Sequence, residues 1–336
     1  MRKPTLKDVG REAGISPITV SRALRSPEVV SEKLRKKVAE AIEKLEYTPN
    51  LAASTLAANQ SNVIGILIPS FTNDVFTEVL SGAYEGFAGT RYSIQVSNTY
   101  YDTEKEQKQL KEFLNLRPAG LIVTGIDQNE ASDQMLRAAD CPIVQFMDLC
   151  DDPIDFVIGY SNYDGMAMAT EHLVSEGYRR IGYINALLEP RAMRRIDGYR
   201  DVLTTHGIYD SNRLVSTAAI SGIETGKVLF RELLSRAPEC DAVICNNDDL
   251  SVGVALECLA RGISIPDTMA ICGFNDLDIA AQMVPPLTSV RTPRKEMGLK
   301  AAELIIAAHA NPSNVGERII DLGVTLSGRL STIRQN

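Results

Sequence analysis

The chain has 336 residues, 44% of them hydrophobic, so it is long enough for more than one domain and too apolar to be a disordered chain. Charge is divided unevenly: residues 1 to 60 hold 11 Lys and Arg against 7 Asp and Glu, a net +4, while the remainder holds 24 against 36, a net −12. The longest apolar runs are of strand length, and Lys3, Asp8 and Glu12 interrupt the N-terminus; this pattern excludes a membrane span and a signal peptide and predicts a cytoplasmic protein.

The first elements form a compact helical head. Thr5 with Asp8 three residues later is a capping-box start, and Leu6, Val9 and Ala13 follow along one helical face. Gly14 suits the left-handed end of that helix, and Ser16-Pro17 restarts a helix at once, a capping oxygen followed by a residue that needs no amide. Val20 and Leu24 are expected to face the first helix, leaving Pro17, Ile18, Ser21, Arg22 and Arg25 on the outer side, the side a DNA major groove would meet. A third helix, Ser31 to Leu45, places Leu34, Val38, Ile42 and Leu45 on one stripe, with Lys33, Arg35, Lys36, Lys37 and Lys44 elsewhere. With the basic charge of this end, the three helices point to a nucleic-acid-binding arm. Tyr47-Thr48-Pro49-Asn50 interrupts the third helix, and LAASTLAA, residues 51 to 58, is too short to be a stable helix until something packs on it.

Beyond residue 60, strand-like runs alternate with helical stretches: VIGILI, SIQVSN, GLIVTG, IVQFMD and FVIGY, then RIGYIN, AVICNN, MAICGF and SVRTP. Continuous apolar strands separated by helices predict parallel sheets covered on both faces, hence two doubly wound lobes with a ligand cleft at the carboxyl ends of the strands. Cys141, Cys150, Cys240, Cys245, Cys258 and Cys272 form no CxxC pair and have no ligand partners, so they read as reduced, mostly buried thiols. Asp248-Asp249 lacks the third carboxylate or histidine of a metal site, and no cofactor motif is present.

TLKDVGREAGISPITVSRAL, VSEKLRKKVAEAIEKLEYTPN and LAASTLA run without a gap along a pattern that resembles the LacI/GalR family of bacterial transcription regulators. VIGILIPSFTNDVF, GLIVTG, HLVSEGYRRIGYI, ICNNDDLSVG, MAICGFNDLDIA and PPLTSVRTPRKEMG are similar to that family's effector-domain landmarks, in order, and the resemblance covers nearly the whole chain. Within the family, PSFTNDVFTEVLSG, NNDDLSVG, LTSVRTPRKEMG and DLGVTLS are most similar to the branch that represses gluconate operons. The resemblance implies a helix-turn-helix headpiece over residues 1 to 48 and a hinge helix over 49 to 60. A two-lobed, periplasmic-binding-protein-like α/β effector domain then spans 61 to 336, with a first lobe of 61 to 159 plus 293 to 320 and a second of 160 to 290 plus 321 to 330.

It also implies roles. Thr5, Ser16, Pro17, Ile18, Thr19, Ser21 and Arg22 would meet operator DNA, and Asn50, Ala53 and Leu56 the minor groove, with Leu56 as an apolar wedge that bends the duplex. Arg22 keeps the guanidinium that bonds guanine bidentately, whereas Pro17 and Ile18 replace a commonly polar pair; Ile18 suits a thymine methyl. Effector contacts map onto Ser70, Phe71, Asn73, Phe76, Asp148, Tyr160, Arg195, Asn247, Asp248, Asn275 and Arg294. Arg294 stands where several sugar-binding relatives carry an aromatic ring, and Asn275 where an aspartate is common. Both changes favour an anionic ligand, with Arg195 and Arg294 as carboxylate clamps. The reading is a homodimeric repressor released from its operator by a gluconate-type sugar acid, without a tetramerisation helix. A neutral sugar, a purine or a phosphorylated co-repressor remains open as the ligand. An enzyme is disfavoured by the absence of GxGxxG and GxSxG and by dispersed His172, His206 and His309; an exported sugar-binding protein would not carry the helical head.

Overall fold

In the computed structural model the described residues are 4–25, 29–47, 60–311 and 316–333. The chain divides into two compact units, Met1–Ser61 and Asn62–Asn336.

The first unit holds α1 (Leu6–Ala13), α2 (Pro17–Arg25) and α3 (Glu32–Lys44). The Thr5 amide and hydroxyl both donate to the Asp8 carboxylate, at 2.9 and 2.6 Å, and Gly14 takes a left-handed φ of 66° that ends α1. Val9, Val20, Ala23, Val38, Ala41 and Tyr47 form the core, and a Lys44–Glu12 ion pair joins α3 to α1. Leu24 departs from expectation. It is exposed, and Ala23 takes the buried place, because positions three and four residues beyond Val20 flank it on opposite sides and the core closes over the Ala23 side.

The second unit contains two six-stranded sheets of order β11-β5-β4-β3-β1-β2 and β12-β10-β9-β8-β6-β7. The first lobe is built from β1 (Val63–Ile68), α4 (Asp74–Gly86), β2 (Ser93–Asn98), α5 (Thr103–Asn115), β3 (Gly120–Thr124), α6 (Glu130–Arg137), β4 (Ile143–Phe146) and β5 (Phe156–Gly159). The second comprises α7 (Asn162–Ser175), β6 (Ile181–Ala186), α8 (Pro190–Thr205), β7 (Leu214–Thr217), α9 (Ile223–Arg236), β8 (Ala242–Cys245), α10 (Asp248–Arg261), β9 (Ala270–Asn275), α11 (Asp278–Gln282) and β10 (Thr288–Arg291). The chain then returns to the first lobe as α12 (Arg294–Ala310), and β11 (Ile319–Asp321) and β12 (Thr325–Ser327) close one edge of each sheet. Pairing is parallel except for β10 with β12. The central strands β3, β4, β5, β6, β8 and β9 are buried almost throughout, as two-sided helix cover requires.

Helix α12 crosses α4 at backbone contact. A Cβ built on Gly82 would lie 2.0 Å from the Lys295 carbonyl oxygen, and one on Gly298 2.0 Å from that of Val79, so only glycine fits at either position. This crossing fixes Arg294, the first residue of α12, beside the second lobe. All six cysteines are free thiols, and burial pushes that of Cys258 up to about 12. Among the described residues no helix is long and apolar enough to cross a membrane, and no cluster of His, Cys, Asp and Glu could hold a metal ion.

Candidate functional site

On the helical unit, Ser16 Oγ accepts from the Thr19 amide at 3.2 Å and shares a hydrogen bond with its hydroxyl at 2.9 Å, capping α2. That cap points the first turn of α2 outward: Pro17 and Arg22 are exposed, Ser21 and Thr19 half-buried, and Ile18 is 71% exposed. An isoleucine held open in water beside an arginine suits an apolar contact on a partner surface better than a place in this small core. Thr5 is committed to its cap on Asp8. Lys33, Arg35, Lys36 and Lys37 of α3 are exposed, cations of the kind that bind phosphate. Asn50, Ala53 and Leu56 lie outside the described residues.

In the second unit a cavity opens between the lobes at the carboxyl ends of the strands. The first lobe contributes Ser70, Asn73 and Phe76 from the loop after β1 and the start of α4, with Tyr101 following β2; the second contributes Arg191 and Arg195 of α8, Asn246 and Asn247 after β8, and Asn275 at the end of β9. Asn73 caps α4 by accepting from the Val75 amide at 3.0 Å, and Asn247 caps α10 by accepting from Leu250 at 3.1 Å, so two wall residues are fixed by helix starts.

Arg195 is nearly buried and held from three sides. Its Nε donates to Asn162 Oδ1 at 2.9 Å, its Nη1 to the Asn246 carbonyl at 2.7 Å, and the guanidinium carbon lies 3.8 Å from the Phe274 ring centroid. No carboxylate pairs with it among the described residues, and its Nη2 has no protein partner there. Arg191, one turn earlier on the same face, differs: its Nη2 donates to Glu189 at 2.5 Å. Burial raises the Tyr101 hydroxyl to about 12, with the Glu189 charge adding to it. Burial also raises the nearby Glu106 carboxyl to about 7 against the opposing pull of Arg191. Asp249, on the wall, is raised by burial and by Asp74 across the cleft. Asn275 Oδ1 is buried without a hydrogen-bond partner among the described residues. The wall thus mixes hydroxyls and amides with apolar side chains, and carries Asp249, the Glu189–Arg191 pair and Arg195, which no carboxylate pairs among the described residues.

Six of the residues singled out from sequence meet at this wall: Ser70, Asn73, Phe76, Arg195, Asn247 and Asn275. Five do not. Phe71 is 54% exposed on the loop beside the cavity. Tyr160 is fully buried, its hydroxyl without a protein partner among the described residues. Asp148 is turned to Arg194, which reaches it at 2.7 Å and grips Asp127 with two bonds of 2.7 and 3.0 Å. Asp248 points away from the cavity, accepting from the Leu277 amide and the Ser289 hydroxyl, each at 2.7 Å; burial raises its carboxyl to about 7. Arg294 corrects the expectation of a second carboxylate clamp, because the turn into α12 aims its guanidinium at backbone carbonyls and Glu78. Tyr101, Glu189, Arg191, Ser221, Asn246 and Asp249 line the wall without having been singled out. Of these, Arg191 carried a usable signal, its spacing of four from Arg195 on one helix.

Two family models match the chain: bacterial regulatory proteins of the lacI family over residues 5–50, and the periplasmic binding protein-like domain over residues 170–332. The chain is 38% identical to the HTH-type transcriptional regulator GntR of Pseudomonas aeruginosa over 330 residues, covering 98% of this chain and 96% of the relative. It is 32% identical to the HTH-type transcriptional regulator IdnR of Escherichia coli over 95% of this chain and 96% of that one. Among solved structures, a LacI family regulator from Silicibacter pomeroyi superposes with a TM-score of 0.89 at 34% identity, covering 98% of this chain and all of the other. The lac repressor dimer bound to operator and an anti-inducer shares the fold, with a TM-score of 0.85 at 24% identity over 99% of this chain and 100% of that one.

Proposed function

Because this chain belongs to the LacI family of bacterial regulatory proteins and is a DNA-binding transcriptional repressor, not an enzyme, we propose that its effector is a gluconate-type sugar acid, bound between the lobes, that lowers its affinity for operator DNA. The single observation behind this reading is Arg195, a buried guanidinium with no carboxylate partner among the described residues and a free Nη2, in a wall where the other cation, Arg191, is already paired with Glu189 and hydroxyls and amides stand beside apolar side chains and Asp249. A buried cation of that kind favours a ligand that brings its own negative charge. Ser70, Asn73, Asn247 and Asn275 supply partners for the hydroxyls of a short polyol chain. The protein works in the cytoplasm as a homodimer on a near-palindromic operator, each headpiece entering a major groove with α2, Arg22 on a guanine and Ile18 against a thymine methyl. Leu56 of the hinge is the minor-groove wedge in this reading.

Titration calorimetry of the full chain with gluconate, glucitol and glucose tests the effector, with operator mobility shifts measured alongside. Gluconate should bind most tightly, and a differential affinity for two lobe angles worth about 1 to 3 kcal/mol should change operator affinity about 5- to 150-fold. Equal affinity for the acid and the alditol would overturn the carboxylate reading in favour of a neutral sugar.

A further inference from the structure

The geometry points to Arg294 as a positioning residue of the effector site: it holds the Asn275–Asp276 loop in the shape that presents Asn275 to the cavity and ties that loop to helix α4 of the first lobe. Asn275 and Asp276 are consecutive non-glycine residues with φ of 109° and 55°, a half of conformational space that L residues occupy only where their surroundings enforce it. The enforcing contacts converge on three residues. Arg294 Nη1 donates to the Asn275 carbonyl, and Nη2 to that of Asp276 at 3.3 Å. The Asp276 amide donates to Ser289 Oγ at 3.0 Å and the Leu277 amide to Asp248 at 2.7 Å, while Arg329 pairs with the Asp276 carboxylate at 2.6 Å.

What this arrangement delivers is Asn275 itself, on the cavity wall with its Oδ1 buried and without a hydrogen-bond partner among the described residues. A buried acceptor left open is costly unless a donor arrives, and a ligand hydroxyl is such a donor. Arg294 opens α12 in the first lobe, so its two carbonyl bonds themselves cross between the lobes. Within the first lobe, Arg294 Nη2 also donates to Glu78 of α4 at 2.8 Å, and α4 is capped by Asn73, which lies on the same wall. One planar guanidinium therefore joins the second-lobe loop to the first-lobe helix, and each of those carries a cavity residue. A lysine keeps the charge but lacks the rigid fork that reaches two carbonyls and a carboxylate together.

The inference rests on the ligand sitting in this cavity, and its test separates the two. Full-length R294M, R294K and E78Q are compared with wild type by calorimetry against gluconate and glucitol, and by amide hydrogen exchange without ligand. R294M and R294K should both expose the Asp276 and Leu277 amides to faster exchange and weaken both sugars by the same factor, about tenfold or more, as for a displaced hydrogen-bond partner. E78Q, which removes a bond within the first lobe to a half-exposed carboxylate, should leave exchange in the loop unchanged, gluconate affinity within about threefold and the ligand's effect on operator binding intact. Unchanged amide exchange in R294M and R294K overturns the positioning role whatever the ligand. So does a loss in R294M confined to gluconate and restored in R294K, which would make Arg294 a direct charge contact. If wild type binds neither sugar, the effector reading fails while the exchange measurement still decides the role of Arg294.

Discussion

Arg194 spans the lobes, and replacing it by methionine should loosen their closure by an amount that can be worked from its two partners. The pair with Asp127 is bidentate but solvated, each side chain 32% exposed, so removing Asp127 alone through D127N should cost about 0.5 to 1 kcal/mol after screening. The contact with Asp148 is different. That carboxylate is 3% exposed and reached at 2.7 Å, and a hydrogen bond to a buried charged group is worth about 1.5 to 3 kcal/mol. R194M should therefore cost about 2 to 4 kcal/mol in total. At the low end of the melting-temperature scale for large domains, this is about 4 to 8 °C for R194M and about 1 to 2 °C for D127N. Thermal unfolding of the full chain at low and high salt reads both: the D127N shift should vanish in high salt and most of the R194M shift should persist. pH gives a further check. Burial already holds the Asp148 carboxyl above its usual range, with Arg194 opposing, so its loss drives it higher. A carboxyl raised in the folded state stabilises below its unfolded pKa and loses that contribution as pH rises, so the R194M deficit should shrink toward acid pH. Equal shifts for R194M and D127N, or a deficit indifferent to pH, would refute the reasoning.

R22A should cost about 1 to 3 kcal/mol of operator binding and relax preference at one base pair per half-site; an equal loss on random DNA in a mobility shift would make Arg22 a phosphate contact. G298A places a methyl 2.0 Å from the Val79 carbonyl oxygen and should lower the melting temperature by several degrees, the cost of overpacking being about 1 to 3 kcal/mol, whereas an unchanged melt would mean that α4 and α12 separate freely. Asp248 is raised to about 7 by burial, so the wild type should lose stability as pH rises from the normal carboxylate range through neutrality, and D248N should flatten that slope in melts between pH 5 and 8; parallel slopes would exclude Asp248 as the titrating group.

What the sequence made legible was local chemistry. The Thr5–Asp8 box, the Gly14 turn and the Ser16–Pro17 restart each depend on residues within a few positions, and all three form as their spacing implies. The central strands were legible because burial on both faces leaves an unbroken apolar run. The edge strands β7, β11 and β12 were not, being short and half-buried, without the apolar run that marks the central ones. Leu24 was misplaced because hydrophobicity alone cannot decide which flank of Val20 the core covers.

The arginines show the same boundary most sharply. Arg191, Arg194 and Arg195 lie within five residues on α8, and nothing in PRAMRR distinguishes them. One helical turn separates their fates: Arg191 is neutralised by Glu189, Arg194 reaches across to the first lobe, and Arg195 stays unpaired against Phe274. Arg294 looked like a cation for the ligand because its neighbours in sequence are silent about Asn275 and Glu78, which lie 19 and 216 positions away and claim its guanidinium. A ligand that favours one lobe angle must change contacts differing between angles, and the bonds of Arg194 to Asp127 and Asp148 and of Arg294 to the Asn275 and Asp276 carbonyls are of that kind, whereas those of Arg195 lie within the second lobe. Arg195 is therefore suited to grip the effector, and the other two to turn that grip into motion.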